Sequence, residues 1–91
     1  MVRIELTPTL THCIETTARQ EFLKSEDEYM RSGGEDKELE EKIELLRAFL
    51  ESMDFRELRK QSEEHLTEGK NVRFILYQEE GKPKYELKVD R

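Results

Sequence analysis

Hydrophobic and polar residues alternate near the start of the chain and then recur at helical spacing. In residues 2–6 every second side chain is apolar, which predicts a half-buried strand. Proline suits the first turn of a helix, so Thr7 or Thr9 is the expected N-cap of a helix over about residues 8–31. The apolar stripe of this helix consists of Leu10, Ile14, Ala18 and Phe22.

The middle of the chain predicts a second helix with a broad apolar face. Negative charge favours a helix N-terminus, so Glu35 and Asp36 mark its start. The apolar positions follow heptad-like spacing and cover about 160° of arc. A face this broad can pack on the first helix and also on a sheet or a second copy of the chain. The positions are Leu39, Ile43, Leu45, Leu46, Phe49, Leu50 and Met53.

The heptad pattern shifts near Met53, where Asp54 and Glu57 fit a capping box variant. This pattern predicts a third helix, or a kinked continuation of the second, to about Thr67. The sequence leaves open whether residues 35–67 form one kinked helix or two.

The last segment predicts a β-hairpin with its turn at Glu80-Gly81. Pro83 lies at the start of the return strand, where its missing N–H group costs least. This turn places the apolar residues of both strands on one face of the sheet in matching register. The paired residues are Val72 with Val89, Phe74 with Leu87, and Leu76 with Tyr85.

Together these elements predict an α+β fold of two layers. The N-terminal strand and the C-terminal β-hairpin form a small antiparallel sheet, and a helical hairpin of two or three helices packs on one face of it. Residues 1–91 are expected to form a single domain, because the chain has no internal repeat and no long linker.

The charge balance argues against two classes of partner. The 91 residues carry 22 acidic and 16 basic side chains, which gives a net charge of −6. Nucleic-acid binding requires a basic stripe, so we expect no nucleic acid as a partner. The apolar runs are far shorter than the roughly 20 residues of a membrane span, so we expect no membrane either.

Composition also bears on the source and location of the protein. Charged residues make up 42% of the chain, and Asn and Gln are scarce, which is the pattern reported for hyperthermophile proteins. The sequence therefore favours a thermophilic source, with an ordinary solvated helical surface as the alternative. The chain does not begin with the pattern of a signal segment, and Cys13 has no second cysteine for a disulfide, so we expect a cytoplasmic protein.

An acidic stretch on the second helix is the sharpest candidate for chemistry. Residues 40–44 fit the pattern E-E-x-x-E, and residues 51–54 fit E-x-x-D. These motifs resemble the magnesium-binding motifs of the all-α nucleoside triphosphate pyrophosphohydrolases similar to the MazG family. The resemblance implies that carboxylates on facing helices hold Mg²⁺ against a triphosphate. The implied ligands are Glu40, Glu41, Glu44, Glu51 and Asp54.

The spacing of the two acidic motifs limits this hypothesis. Glu44 and Asp54 are only ten residues apart on what the pattern predicts as one helix. Two ligand sets on one helix cannot face each other across a cleft, so an enzyme of this kind requires a dimer. The alternative interpretation is a solvated acidic helix face.

A zinc site is the other chemical possibility, because the chain contains His12, Cys13 and His65. A structural zinc site needs four ligands, and neighbouring residues point about 100° apart on a helix. We therefore predict that Cys13 is a small core residue, that both histidines lie on the surface, and that the protein has no metal or cofactor.

Two sets of residues are candidates for protein contact. Leu45 and Phe49 widen the second helix face beyond what one partner helix covers, which favours a homodimer. The outer face of the hairpin could bind a partner, or a strand could add at the hairpin edge. The alternative is an ordinary outer sheet face. The outer-face residues are Ile75, Tyr77, Lys84, Glu86 and Lys88.

These observations favour a protein-protein interaction or regulatory module that acts as a homodimer, over an enzyme. The first alternative is a magnesium-dependent enzyme similar to the nucleotide pyrophosphohydrolases. The second is an acidic decoy whose glutamate-rich helices mimic the phosphates of DNA, which predicts salt-dependent binding to a basic protein.

Overall fold

The fold consists of a three-stranded antiparallel sheet with three helices packed on one face. A computed structural model describes residues 2–90. In chain order the elements are β1 (Ile4–Leu6), α1 (Ile14–Arg31), α2 (Lys37–Ser52), α3 (Phe55–Thr67), β2 (Asn71–Glu79) and β3 (Lys82–Asp90). The strand order in the sheet is β1-β2-β3. The predicted α+β fold is confirmed.

The C-terminal hairpin has the predicted register. β2 and β3 pair antiparallel with Phe74 opposite Leu87, and β1 pairs on the other side of β2 with Leu6 opposite Phe74. The turn residues Glu80 and Gly81 have φ angles of 54° and 75°. Positive φ at both central positions is the geometry of a type I′ turn, whose twist matches that of the paired strands.

Residues 35–67 contain two helices rather than one kinked helix. The carboxylate of Asp36 caps α2 by accepting hydrogen bonds from backbone N–H groups of the first turn. Met53 has an extended backbone and ends α2. Asp54 then caps α3 by accepting a hydrogen bond from the backbone N–H of Arg56 at 3.1 Å. The two aspartates therefore define two separate helix starts.

The predicted start of the first helix is wrong, because α1 begins at Ile14 and neither Thr7 nor Thr9 caps it. The backbone N–H of Thr9 donates to the carbonyl of His12 at 2.8 Å, and the Thr9 hydroxyl accepts from the N–H of His12 at 3.0 Å. The threonine side chain thus stabilises a turn that competes with the helix. Leu10, expected in the apolar stripe, is 66% exposed.

Every element contributes side chains to the hydrophobic core. The rings of Phe49 on α2 and Phe55 on α3 meet edge to face, with centroids 5.5 Å apart. Three residues of β2 lie beneath the helices with no exposed surface: Val72, Phe74 and Leu76. No helix among residues 2–90 combines the length and the apolar character that crossing a membrane requires.

Leu45 and Phe49 do not form the predicted dimer surface. They are 1% and 0% exposed within a single chain and belong to its core. α2 packs against α1 and against the sheet, and together these elements cover its broad apolar face. Side chains this deeply buried are not available to a second copy, so this part of the interface prediction is wrong.

Candidate interaction surface

β3 is a nine-residue strand with one unpaired edge. It pairs with β2 on one side, and no other strand among residues 2–90 pairs with it. Glu79 and Lys82 flank the two-residue turn and form a hydrogen-bonded pair, after which bonded and non-bonded pairs alternate. The even-numbered residues of β3 therefore bond to β2. The N–H and C=O groups of Tyr85, Leu87 and Val89 point away from β2, and we call them the free edge.

Pro83 lies on the same side of β3 as the free edge. Because its nitrogen points away from β2, the missing N–H group removes no hydrogen bond from the hairpin. The proline also leaves the turn end of this side without a donor. The free edge therefore begins at Tyr85 and continues towards the end of β3.

The inner face of β3 is covered less well than the inner face of β2. Phe74 and Leu76 on β2 have no exposed surface. Their partners on β3, Leu87 and Tyr85, are only partly buried, and Val89 is 37% exposed. The helical layer therefore leaves an apolar row along the free edge partly in contact with water.

The outer face of the hairpin brings together the residues predicted there. Ile75 and Tyr77 on β2 are half-buried, whereas Lys84, Glu86 and Lys88 on β3 are exposed. The register places Ile75 opposite Glu86 and Tyr77 opposite Lys84. The predicted surface is therefore contiguous, although its apolar part consists of only two side chains.

Arg73 connects all three strands on this outer face. Its Nη1 lies 3.4 Å from Oε1 of Glu5 on β1, and its Nε lies 3.0 Å from Oδ2 of Asp90 on β3. Lys88 stands directly opposite Arg73, so two positive charges face each other across β2 and β3. Within residues 2–90 Lys88 forms no ion pair. The outer face at the far end of β3 can therefore accept a further negative charge.

The acidic residues of the magnesium hypothesis are not brought together within one chain. Asp54 caps α3, and Glu40 accepts a hydrogen bond from the Tyr29 hydroxyl at 3.5 Å. Partial desolvation and the carboxylate of Glu40 raise the pKa of Tyr29. Residues 2–90 contain no group of three or more His, Cys, Asp or Glu side chains that could hold a metal ion. The remaining predicted ligands, Glu41, Glu44 and Glu51, are exposed on α2.

Cys13 and the two histidines are likewise in no such group. Cys13 lies just before α1, and its Sγ is 3.3 Å from the hydroxyl oxygen of Thr16. This hydrogen bond is the main reason why the pKa of the thiol is lowered. His12 is exposed as predicted, whereas Cys13, the N-cap residue of α1, and His65, in the last turn of α3, are half-buried.

Two surface grooves are lined by mixed charges. A groove of about 600 Å³ runs along α3, where Arg59 and Glu63 pair at 2.8 Å. A second groove, of about 360 Å³, lies between α1 and α2 and is lined by Tyr29, Ile43 and Arg47 among others. The first groove is lined almost entirely by acidic and basic side chains of one helix, and the charged lining of the second consists of three glutamates and Arg47. The backbone of the free edge is the more specific candidate for recognition.

One protein-family model matches residues 1–88. The chain belongs to this family. The model is described only as a family and gives no activity. No curated protein and no solved structure matches the chain. The match includes residues 82–88 of β3.

The sequence prediction named the hairpin edge as a place where a strand could add, but it did not identify Tyr85, Leu87 and Val89 as the residues whose backbone groups line that edge. It placed them on the inner face of the hairpin, which is correct, but it did not give the strand order. Pro83 was the available signal, since proline within a sheet favours an edge strand. With β3 at an edge, the alternation of hydrogen-bonded pairs would have identified the outward residues.

Proposed function

We propose that this protein is an interaction or regulatory module that binds a protein segment along the free edge of β3. The observation that carries the proposal is the outward backbone of Tyr85, Leu87 and Val89 beside an apolar row that is only partly covered. An extended segment can add to such an edge through main-chain hydrogen bonds, while alternate side chains provide specificity.

The outer-face prediction becomes part of this proposal. A segment bound at the free edge would extend the sheet, and its side chains would lie beside Lys84, Glu86 and Lys88. The lone cysteine supports a cytoplasmic location, and the many charges with few amides support a thermophilic source. The cytoplasmic location, the thermophilic source and a homodimeric state are therefore parts of this proposal.

No specific observation favours the two alternative functions. Glu44 lies on α2 whereas Asp54 caps α3, and residues 2–90 contain no group of three or more acidic, His or Cys side chains that could hold an ion. The acidic decoy rests on charge alone. The interaction module is therefore the function that the geometry supports best.

A photo-crosslinking experiment tests this function in an extract of the cells that make the protein. A photoreactive amino acid replaces Lys84 beside the free edge or, as a control, Arg19 on the exposed face of α1. Crosslinks to protein are expected from position 84 and not from position 19. Adding Leu87→Pro, which removes an outward N–H donor, should abolish them.

Crosslinking that is equal from both positions, or that survives Leu87→Pro, would contradict the proposal. The mass of the adduct identifies the bound protein separately. An adduct of twice the chain mass contains a second copy, and any other mass indicates a different partner.

A further inference from the structure

We infer that the free edge binds a second copy of this chain, with the two β3 strands paired antiparallel about a two-fold axis at Leu87. The inference rests on the proposed function and names its partner. It replaces the dimer surface predicted at Leu45 and Phe49, which are buried. The resulting dimer has one continuous six-stranded sheet.

Hydrogen-bond alternation restricts how two β3 strands can pair. Only the odd-numbered residues direct their backbone N–H and C=O groups away from β2. An odd-numbered residue must therefore pair with an odd-numbered residue of the second copy. With the axis at Leu87, this residue pairs with its own equivalent, and Tyr85 pairs with Val89. Three bonded pairs of two hydrogen bonds each give about six hydrogen bonds between the copies.

The outer-face charges are complementary in this register. Glu86 lies opposite Lys88 of the second copy, and Lys84 lies opposite Asp90 of the second copy. The two-fold axis repeats each pair, so all four contacts join opposite charges. Within residues 2–90 no ion pair occupies Lys84, Glu86 or Lys88, and Asp90 uses one oxygen for Arg73.

A shift of the axis by one residue in either direction destroys this complementarity. With the axis at Glu86, the two copies of Glu86 face each other and Lys84 faces Lys88. With the axis at Lys88, the two copies of Lys88 face each other and Glu86 faces Asp90. Like charges directly opposite each other destabilise a strand pair, so the axis at Leu87 is favoured over both neighbours.

Two further features of β3 fit the same register. Lys88 already faces the positive charge of Arg73, and Glu86 of the second copy would place a negative charge on its other side. On the inner face, Leu87 would meet its equivalent and Tyr85 would meet Val89. These partly exposed apolar side chains would thereby lose contact with water.

The size of the contact predicts a weak dimer. Seven residues of each copy, 84–90, face each other, which makes the interface smaller than that of a standard stable complex. We therefore expect a dissociation constant in the micromolar range. Dimer formation should respond to protein concentration and to salt.

Paired charge reversals test the register. Glu86→Lys alone places lysine opposite Lys88, and Lys88→Glu alone places glutamate opposite Glu86. Each variant should therefore dimerise about tenfold more weakly. In an equimolar mixture the two variants restore opposite charges at both contacts. A heterodimer should then form with about the affinity of the natural chain.

Native mass spectrometry over a concentration series, with one variant labelled with ¹⁵N, separates the heterodimer from both homodimers. Lys82→Glu and Glu79→Lys are matched controls, because they make the same charge changes outside residues 84–90. Both controls should dimerise like the natural chain.

A mixture that forms no more dimer than the separate variants would overturn the register. If the natural chain remains a monomer up to millimolar concentration, a second copy is not the partner of the free edge. In that case a crosslink at position 84 that depends on Leu87 would leave the proposed function intact. If no crosslink forms at position 84, both the proposed function and the proposed dimer are contradicted.

Discussion

The two edges of the sheet differ in how much backbone they expose. β1 has three residues, and only the N–H and C=O groups of its central residue, Glu5, point away from β2. β3 has nine residues, of which Tyr85, Leu87 and Val89 point outward. The first edge is too short to pair with another strand, whereas the second can form a ladder.

The difference shows two ways in which a small sheet can limit unwanted pairing. Short strands are one common device, and β1 fits it because the strand ends at Leu6 after three residues. Lysine and proline on an edge strand are another, and β3 carries Lys84, Lys88 and Pro83. Glu86 and Asp90 alternate with these lysines, so the charges of β3 are complementary to those of its own copy in the antiparallel register.

The largest effect is expected in the core between the helices and the sheet, where Phe49 has no exposed surface. Phe49→Ala should lower the free energy of unfolding by about 3–5 kcal/mol, since it leaves a cavity in the core. Val89→Ala, at the free edge, should cost under about 1 kcal/mol in the monomer. Urea denaturation of both variants at low protein concentration, where the chain is monomeric, measures the difference between the two losses of stability. Equal losses would mean that the two regions are covered alike.

Proline substitutions in neighbouring positions distinguish the two sides of β3 itself. Glu86→Pro removes an N–H that bonds to β2 and should destabilise the hairpin by about 1–3 kcal/mol. Leu87→Pro removes an outward N–H, so the β2–β3 ladder remains and the loss of stability should be smaller.

Thermal unfolding of these two variants, followed by circular dichroism, gives the order of their stabilities. Leu87→Pro should remain folded and monomeric at all concentrations. Because Leu87 also packs against the core, each proline variant is compared with the alanine variant at the same position, and a larger additional loss from proline at 87 than at 86 would show that the assignment of inward and outward N–H groups is wrong.

A small effect is expected at the turn that aligns β3 with β2. Glu80 has a φ of 54°, which is unfavourable for glutamate and better tolerated by asparagine. Glu80→Asn should therefore raise the free energy of unfolding by about 0.5–1 kcal/mol without changing the free edge. Denaturation should move to higher urea, and the dimer dissociation constant should stay the same. A change in dimer affinity would mean that the turn contributes to the contact.

Features set by neighbouring residues could be predicted from the sequence. The register of Phe74 with Leu87 followed from the alternation of apolar residues around a two-residue turn, and Asp36 and Asp54 marked helix starts through local hydrogen bonds. The start of α1 failed because Thr9 and His12 form a competing turn. The sequence pattern did not reveal that turn.

Features set by the arrangement of elements could not be predicted. The pattern gave the width of the α2 face but not what covers it, so Phe49 was assigned to a dimer surface although it lies in the core. Strand order could not be predicted for the same reason: β3 is an edge strand only because β1 pairs with the other side of β2. The sequence therefore predicted that Lys84 and Lys88 lie on the outer face of the hairpin, but it did not predict that the backbone of Leu87 points away from β2.

Amide hydrogen exchange, measured residue by residue along β3 at several protein concentrations, tests the central claim most directly. In dilute protein the amides of Tyr85, Leu87 and Val89 should exchange fast, while those of Glu86 and Lys88 exchange slowly, because only the latter are bonded to β2. At high concentration the three outward amides should become protected as the second copy binds. Outward amides that stay fast at every concentration would contradict the claim that a second copy covers this edge.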